Sequence, residues 1–84
     1  MKDFKDKIVV ITGAGSGMGR SYALEFAKLG AKLALNDYDP KGLAQTVALL
    51  KKAGIKGVFS KAFDVGDKAA MNDFAAAVQS KLGN

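Results

Sequence analysis

The stretch that most constrains the fold is residues 8–19, with the sequence IVVITGAGSGMG. The apolar run Ile8–Ile11 predicts a strand buried on both faces, as in a parallel sheet that helices cover on each side. A glycine-dense turn follows, and an amphipathic pattern begins directly after it. A helix that starts at such a turn presents unpaired amides and the positive end of its dipole, and both favour a pyrophosphate. The order strand, glycine turn, helix therefore predicts a phosphate-binding turn.

The same alternation of apolar runs and helical patterns continues along the chain. After a charged lead-in at residues 1–6, we expect strands at residues 7–12, 32–36 and 58–63. We expect helices from Gly17 to Leu29, from Pro40 behind an Asp39 cap to a stop at Gly54, and from Gly66 or Asp67 to Leu82. The predicted apolar stripes are Met18, Tyr22, Phe26 and Leu29 beside Ala23 and Ala27 in the first helix, Leu43, Val47 and Leu50 in the second, and Met71, Phe74, Ala75, Val78 and Leu82 in the third.

This order, β-α-β-α-β-α with short connections, predicts parallel strands joined by right-handed crossovers. It corresponds to one mononucleotide-binding half of a Rossmann-type α/β fold, a three-stranded parallel sheet of order 3-2-1 with flanking helices. The 84 residues show no internal linker or repeat and form one small domain with a modest core. We therefore interpret residues 1–84 as the amino-terminal half of a Rossmann domain, truncated before the fourth strand.

Composition excludes several functional classes. The formal charge is +5, but the lysines are scattered among aspartates and glutamates, which predicts a solvated surface and no nucleic-acid partner. The absence of cysteine excludes disulfides and thiolate metal sites, and the absence of histidine removes the commonest metal ligand and general base. No signal peptide or long apolar span is visible in the sequence, so we expect no membrane association and a cytoplasmic location.

The glycine spacing is more specific than a generic nucleotide turn. The pattern G-x-G-x-x-G fails in both registers, because it reaches Met18 from Gly13 and Arg20 from Gly15. Thr12-Gly13-x-x-x-Gly17-x-Gly19 instead resembles the T-G-x-x-x-G-x-G signature of the short-chain dehydrogenase/reductase family, a group of Rossmann-fold oxidoreductases. The resemblance implies a dinucleotide cofactor, held by Gly13, Gly17 and Gly19, by Ser16 on ribose or phosphate oxygens, and by the backbone amide of Met18 on the pyrophosphate.

Asp37 is the predicted ribose ligand. It follows the second strand, 24 positions beyond Gly13, near the spacing of about 20 residues expected for the acid that binds the adenosine ribose. A carboxylate there accepts hydrogen bonds from both ribose hydroxyls and repels a 2′-phosphate. The alternative is a solvated Asx turn with Asp39 and Pro40.

The resemblance also bears on cofactor choice and on adenine. NADP-preferring members of the family carry a basic residue at the positions that Ser16 and Tyr38 occupy here, which favours NAD over NADP and leaves Arg20 and Lys41 as the nearby cations. Asp64-Val65 resembles the family's step after the third strand, where the carboxylate meets the adenine amino group and the next residue packs on the ring. The alternative is that Asp64 caps the third helix, a role also open to Asp67.

The family's catalytic residues are not found in this sequence. The Asn-Asn-Ala-Gly strand end, the serine and the Tyr-x-x-x-Lys pair that the resemblance implies are absent from the 84 residues. We therefore expect that the chain alone transfers no hydride between nicotinamide and an alcohol or ketone. The first strand would also have an unpaired apolar edge where the fourth strand belongs, and this predicts self-association.

Two other functions remain open. An S-adenosylmethionine-dependent methyltransferase fragment would use a similar turn, and Gly13-x-Gly15-x-Gly17 fits it loosely. However, those enzymes usually carry an acid where this chain has Ile11. A non-catalytic nucleotide-binding module would also make the same contacts and needs no catalytic half.

Overall fold

Strands and helices alternate along the chain, as the sequence predicts. The computed structural model describes residues 4–83, so the predicted lead-in is described only from Phe4, and Asn84 lies outside the described residues. The elements are β1 (Ile8–Ile11), α1 (Gly17–Lys28), β2 (Lys32–Asp37), α2 (Pro40–Lys52), β3 (Val58–Ala62) and α3 (Lys68–Leu82).

The three strands form one parallel sheet in which β2 lies between β1 and β3. Ile8 pairs with Lys32 and Leu33 pairs with Val58, so the carboxyl ends of all three strands lie at the same edge. The predicted Rossmann-type half with strand order 3-2-1 is confirmed. Because β2 is central, its residues Leu33 and Leu35 are fully buried, and burial of each leucine contributes about 1.5–3 kcal/mol to folding.

Helices cover the sheet on both sides. On one face, α1 and α2 enclose a core that includes Ile11, Ala23, Ala27, Leu33, Leu35, Leu43 and Leu50. On the other face, α3 packs through Phe74, Val78 and Leu82 against Ala34, with Phe59 and Phe63 at its border. Alternate residues of β2 thus belong to different cores, as the period of two in a strand requires.

The prediction that β1 is buried on both faces is wrong for this chain. Ile11 is buried on the side of α1, but Ile8 is 37% exposed and Val10 is 54% exposed on the opposite side. The reason is that α3 packs over β2 and β3, so its core includes no residue of β1. One face of β1 therefore presents apolar side chains to solvent.

The predicted stripe of α1 is also wrong at its start. Met18 is 70% exposed and Tyr22 is 48% exposed, whereas the buried residues of the helix are Ala23 and Ala27. Two alanines let α1 lie close to the sheet, and its first turn extends beyond the sheet edge with the glycine turn. In α3, Ala75 is likewise exposed, in contrast to the prediction.

The predicted helix ends are confirmed where glycine or a cap residue marks them. Gly30 follows α1 with φ +88°, and Gly54 follows α2 with φ +84°, both in the left-handed region. The Asp39 side chain caps α2 by accepting a hydrogen bond from the Lys41 amide, and Pro40 occupies the first turn.

Candidate functional site

The turn between β1 and α1 is shaped by its glycines. Gly13 and Gly17 have φ of +67° and +54°, a backbone that residues with a Cβ adopt at a cost. A Cβ built on either residue would meet no described atom within 4 Å, so open space adjoins the turn at both positions. Gly19 is required for a different reason, because its Cβ would overlap the carbonyl oxygen of Gly13. The backbone thus forms a tight, open turn in front of α1.

The start of α1 leaves its polar groups available. Ser16 is the N-cap residue with an extended backbone, yet within residues 4–83 its side chain makes no capping hydrogen bond. The first turn of α1 also contains no acidic side chain. Ser16, Gly17 and Met18 are exposed, and Gly19 is half-buried. Such a helix start favours a nearby negative charge, because its amides and the helix dipole point toward it.

Asp37 lies at the end of β2, directly beside this turn. Its Oδ2 accepts a hydrogen bond from the Gly15 amide at 2.7 Å, and its Oδ1 accepts one from the Asp39 amide at 2.8 Å. The Asx turn that was the alternative role is therefore present, and the carboxylate is also attached to the glycine turn. Each carboxylate oxygen has two lone pairs, so both oxygens keep capacity for a ligand hydroxyl.

Two side chains fix the turn from the side of α2: Thr46, which the sequence did not single out, and Arg20, which the sequence indicated only as a cation near the ribose. The Thr46 hydroxyl is fully buried and donates to the Ala14 carbonyl at 2.7 Å. Arg20 extends from α1 and donates from Nε to Thr46 Oγ1 at 2.9 Å and from Nη2 to the Gly15 carbonyl. The sequence did contain a signal for Thr46. It lies on the apolar stripe of α2, and a hydroxyl buried there needs a hydrogen-bond partner.

The end of β3 is attached to β2 by Asn36, another residue not predicted. Its side chain is almost fully buried, and Nδ2 donates to the carbonyl oxygens of Lys61 at 3.2 Å and Phe63 at 3.0 Å. This holds the backbone that leads into Asp64 and Val65. Asn36 therefore joins the two strand ends that carry the predicted ribose and adenine ligands.

Asp64 does not cap α3. The N-cap is Asp67, whose side chain accepts from the Ala70 amide at 3.0 Å. Asp64 instead accepts from the Gly66 amide at 2.9 Å through Oδ1, in an exposed turn next to the exposed Val65. The helix-cap role considered for Asp64 is therefore wrong, and its carboxylate remains at the carboxyl edge of the sheet.

A cleft of about 350 Å³ lies at this edge. It is lined by Thr12, Gly13, Asn36, Asp37, Tyr38, Phe63, Asp64 and Val65. The structure thus brings together four of the predicted site residues, whereas Ser16, Gly17, Met18 and Gly19 are not part of its lining. A slightly larger cleft of about 380 Å³ lies between the end of α2 and the start of β3, and it contains none of the predicted residues.

Among residues 4–83, no cluster of three or more histidine, cysteine, aspartate or glutamate side chains is arranged to hold a metal ion. No helix in the same range has the length and apolar character needed to cross a bilayer.

Comparison with known proteins decides the family. The short chain dehydrogenase family model matches residues 7–84, which is nearly the whole chain. The chain belongs to the short-chain dehydrogenase family. The resemblance seen in the glycine spacing is therefore confirmed, and members of this family bind nicotinamide dinucleotides. The alternative of a methyltransferase fragment is not supported by these matches.

Individual relatives agree with this assignment. A short-chain dehydrogenase/reductase from Burkholderia phymatum, solved in complex with NAD, is 43% identical with a TM-score of 0.91, covering 100% of this chain and 30% of that chain. Levodione reductase of Leifsonia aquatica is 40% identical over 81 residues, covering 95% of this chain and 30% of the relative. Estradiol 17-beta-dehydrogenase 11 of Macaca fascicularis is 40% identical over 83 residues, covering 99% and 27%. The chain therefore spans less than a third of the length of these relatives.

Proposed function

We propose that this chain binds the adenosine diphosphate part of NAD in an NAD(H)-dependent short-chain dehydrogenase or reductase. The observation that carries the proposal is the hydrogen bond between the Gly15 amide and the Asp37 carboxylate. It places an acceptor for ribose hydroxyls directly beside a turn suited to phosphate. A flexible surface loop gives no reason for this pairing at the start of a helix, and the family matches speak against a methyltransferase.

The proposed pyrophosphate site is the turn and the first residues of α1. Gly13, Gly17 and Gly19 supply the backbone shape, the Met18 amide faces the pyrophosphate, and Ser16 reaches ribose or phosphate oxygens. The uncapped start of α1 and the open space beside Gly13 and Gly17 support this assignment.

The proposed adenosine site lies at the ends of β2 and β3. Asp37 accepts from the ribose hydroxyls, Asp64 accepts from the adenine amino group, and Val65 packs on the ring. The cleft shared by Asp37, Asp64 and Val65 supports this, because a nucleoside bound there would contact both strand ends. Val65 is 52% exposed, so its side chain is available to pack against an adenine ring.

We further propose NAD rather than NADP as the cofactor. Asp37 would repel a 2′-phosphate at the position where it accepts from the ribose. Arg20, one of the two nearby cations, is occupied by acceptors within the protein. Lys41 is exposed at the start of α2 and is the cation that remains.

When bound, NAD would accept the hydride in an oxidation and NADH would supply it in a reduction, and we propose that the other groups of the reaction lie in further parts of a longer protein. The 84 residues contain no Tyr-x-x-x-Lys pair, so the chain alone is proposed to be inactive. We interpret residues 1–84 as the amino-terminal half of a Rossmann domain, an interpretation supported by the relatives, which are more than three times longer. The cytoplasmic location stays a prediction.

The test of cofactor binding is a titration of the isotope-labelled chain followed by amide chemical shifts, a method that detects millimolar affinity. We expect NAD to shift the amides of residues 13–19 and of Asp37, and NADP to bind about tenfold more weakly because of charge repulsion. S-adenosylmethionine serves as the comparison ligand. Shifts with S-adenosylmethionine but not with NAD, or no shift in residues 13–19 at saturating NAD, would contradict the proposal.

We also propose that the isolated chain self-associates through β1. The proposal is supported by the exposed side chains of Ile8 and Val10 and by the position of β1 at the border of the sheet. An unpaired apolar strand is a template for a second strand. A second copy of this chain offers the same edge.

A further inference from the structure

We propose that Arg20 is a positioning residue that aims the amides of the phosphate-binding turn by clamping Gly15 onto α2. The proposal rests on the proposed binding of NAD. It assigns a role to a side chain that the glycine signature does not include and that is not among the residues lining the cleft.

Arg20 connects α1, the turn and α2. Its Nε donates to Thr46 Oγ1 at 2.9 Å, and its Nη2 donates to the Gly15 carbonyl. The same Nη2 lies 3.2 Å from the Gly42 carbonyl and 3.2 Å from Gln45 Oε1. All four acceptors are uncharged oxygen atoms. The contacts therefore depend on the directional N–H donors of the guanidinium and not on pairing with an opposite charge.

Two successive peptide planes of the turn are held by side chains, the second of them by Arg20. The plane between Ala14 and Gly15 is held at both ends, because its carbonyl accepts from Thr46 and its amide donates to Asp37. Arg20 holds the carbonyl of the next plane, between Gly15 and Ser16. In a trans peptide the N–H lies opposite the C=O, so a Gly15 carbonyl held toward α2 directs the Ser16 amide away from α2.

The turn and α2 approach each other so closely that neither contacting glycine has room for a Cβ. A Cβ on Gly15 would lie 2.9 Å from the Leu43 amide nitrogen, and a Cβ on Gly42 would lie 2.7 Å from the Gly15 carbonyl oxygen. At this separation a planar guanidinium with several donors fits several carbonyl oxygens at once. A lysine ammonium carries the same charge but lacks the fork, which is the planar set of N–H donors of the guanidinium. Arginine and lysine are therefore not equivalent at position 20.

The experiment compares three variants of the labelled chain. Arg20→Leu removes the charge and the fork, and Arg20→Lys removes the fork alone. Lys28→Leu is the matched control, because Lys28 lies on the same helix, carries the same charge and is 75% exposed beside Glu25. For each protein we measure amide hydrogen exchange without ligand, the unfolding midpoint, and the dissociation constant for NAD from amide shifts.

We expect both Arg20 variants to raise exchange of the Gly15 amide and to weaken NAD binding, each by about tenfold, the effect of losing a hydrogen bond to a charged group. Faster exchange should be confined to residues 14–17, with core amides such as that of Leu33 unchanged. A uniform rise at all amides would indicate general destabilisation and would overturn the positioning role. Lys28→Leu should change neither the exchange rate of the Gly15 amide nor the dissociation constant for NAD by more than about twofold.

Two other results decide against the clamp. If Arg20→Lys binds NAD like the original chain, charge alone matters and the fork has no role. If Gly15 exchange is unchanged in both Arg20 variants, Arg20 does not hold the turn. Failure of the original chain to bind NAD would refute the proposed function, and the exchange measurement would then still decide whether Arg20 holds Gly15.

Discussion

Gly42 lies inside α2, where alanine would ordinarily stabilise a helix by about 1 kcal/mol relative to glycine. Here a Cβ would lie 2.7 Å from the Gly15 carbonyl oxygen and 3.0 Å from Asp39 Oδ2. The first of these is a backbone atom in a turn that cannot shift without releasing its own hydrogen bonds. The close approach of the turn to α2 therefore requires glycine at position 42, although alanine is the better helix former.

We predict that Gly42→Ala lowers the free energy of unfolding by about 2 kcal/mol, since overpacking outweighs the gain in helix propensity. Denaturant unfolding monitored by circular dichroism measures the change. Ala48→Gly, at an exposed position of the same helix, gives the propensity effect alone, with an expected loss of about 1 kcal/mol. Stabilisation by Gly42→Ala would show that the turn is free to move away from α2.

Individual residues were predictable where spacing along the chain carries the information. Asp37 was found because it follows a strand at a fixed interval from the glycine turn, and its carboxylate does lie against that turn. The contact between Arg20 and Thr46 was missed because it joins residues 26 positions apart on two different helices. One signal was available, since a cation in the first turn of a helix opposes the dipole and calls for a local partner.

At the scale of single elements, the ends were more predictable than the faces. Gly30, Gly54, Asp39 and Asp67 mark helix ends by chemistry that acts over a few residues. The buried face of α1 depends on how far the sheet extends beneath it, which no local pattern reveals. Met18 and Tyr22 each lie one position before the series Gly19, Ala23 and Ala27 that faces the sheet, and both are exposed.

The cap of α3 offers a prediction at this scale. Asp67→Ala should lower the free energy of unfolding by about 1 kcal/mol, because the Ala70 amide loses its acceptor and the start of the helix loses a negative charge. Thermal and denaturant unfolding measure the loss. Asp73→Ala, an exposed aspartate inside the same helix, should stay within about 0.5 kcal/mol of the original chain. Equal losses in both variants would mean that Asp67 contributes only charge.

For the whole molecule, the prediction concerns the uncovered side of β1. We expect the average mass by light scattering or sedimentation to rise with concentration, because the exposed face around Val10 becomes buried between copies. Val10→Lys should shift the association to at least about tenfold higher concentration, since a charge at this position is costly to bury. Leu49→Lys places the same charge at an exposed position of α2 and should leave the concentration dependence of the mass unchanged. A mass equal to one chain at all concentrations would rule out this association.

The order of the strands and the two-sided packing followed from the sequence, because short connections allow few topologies. The incomplete cover of β1 did not follow, since it depends on where α3 packs on the sheet. Lys32 at the start of β2 bears on that position, donating from Nζ to the Leu82 carbonyl at 3.0 Å. This bond brings the last turn of α3 to the amino end of the sheet, the level at which Ile8 begins β1. Since parallel strands all begin at this level, α3 has carried the backbone back along the full height of the sheet by Leu82, while it still lies over β2 and β3.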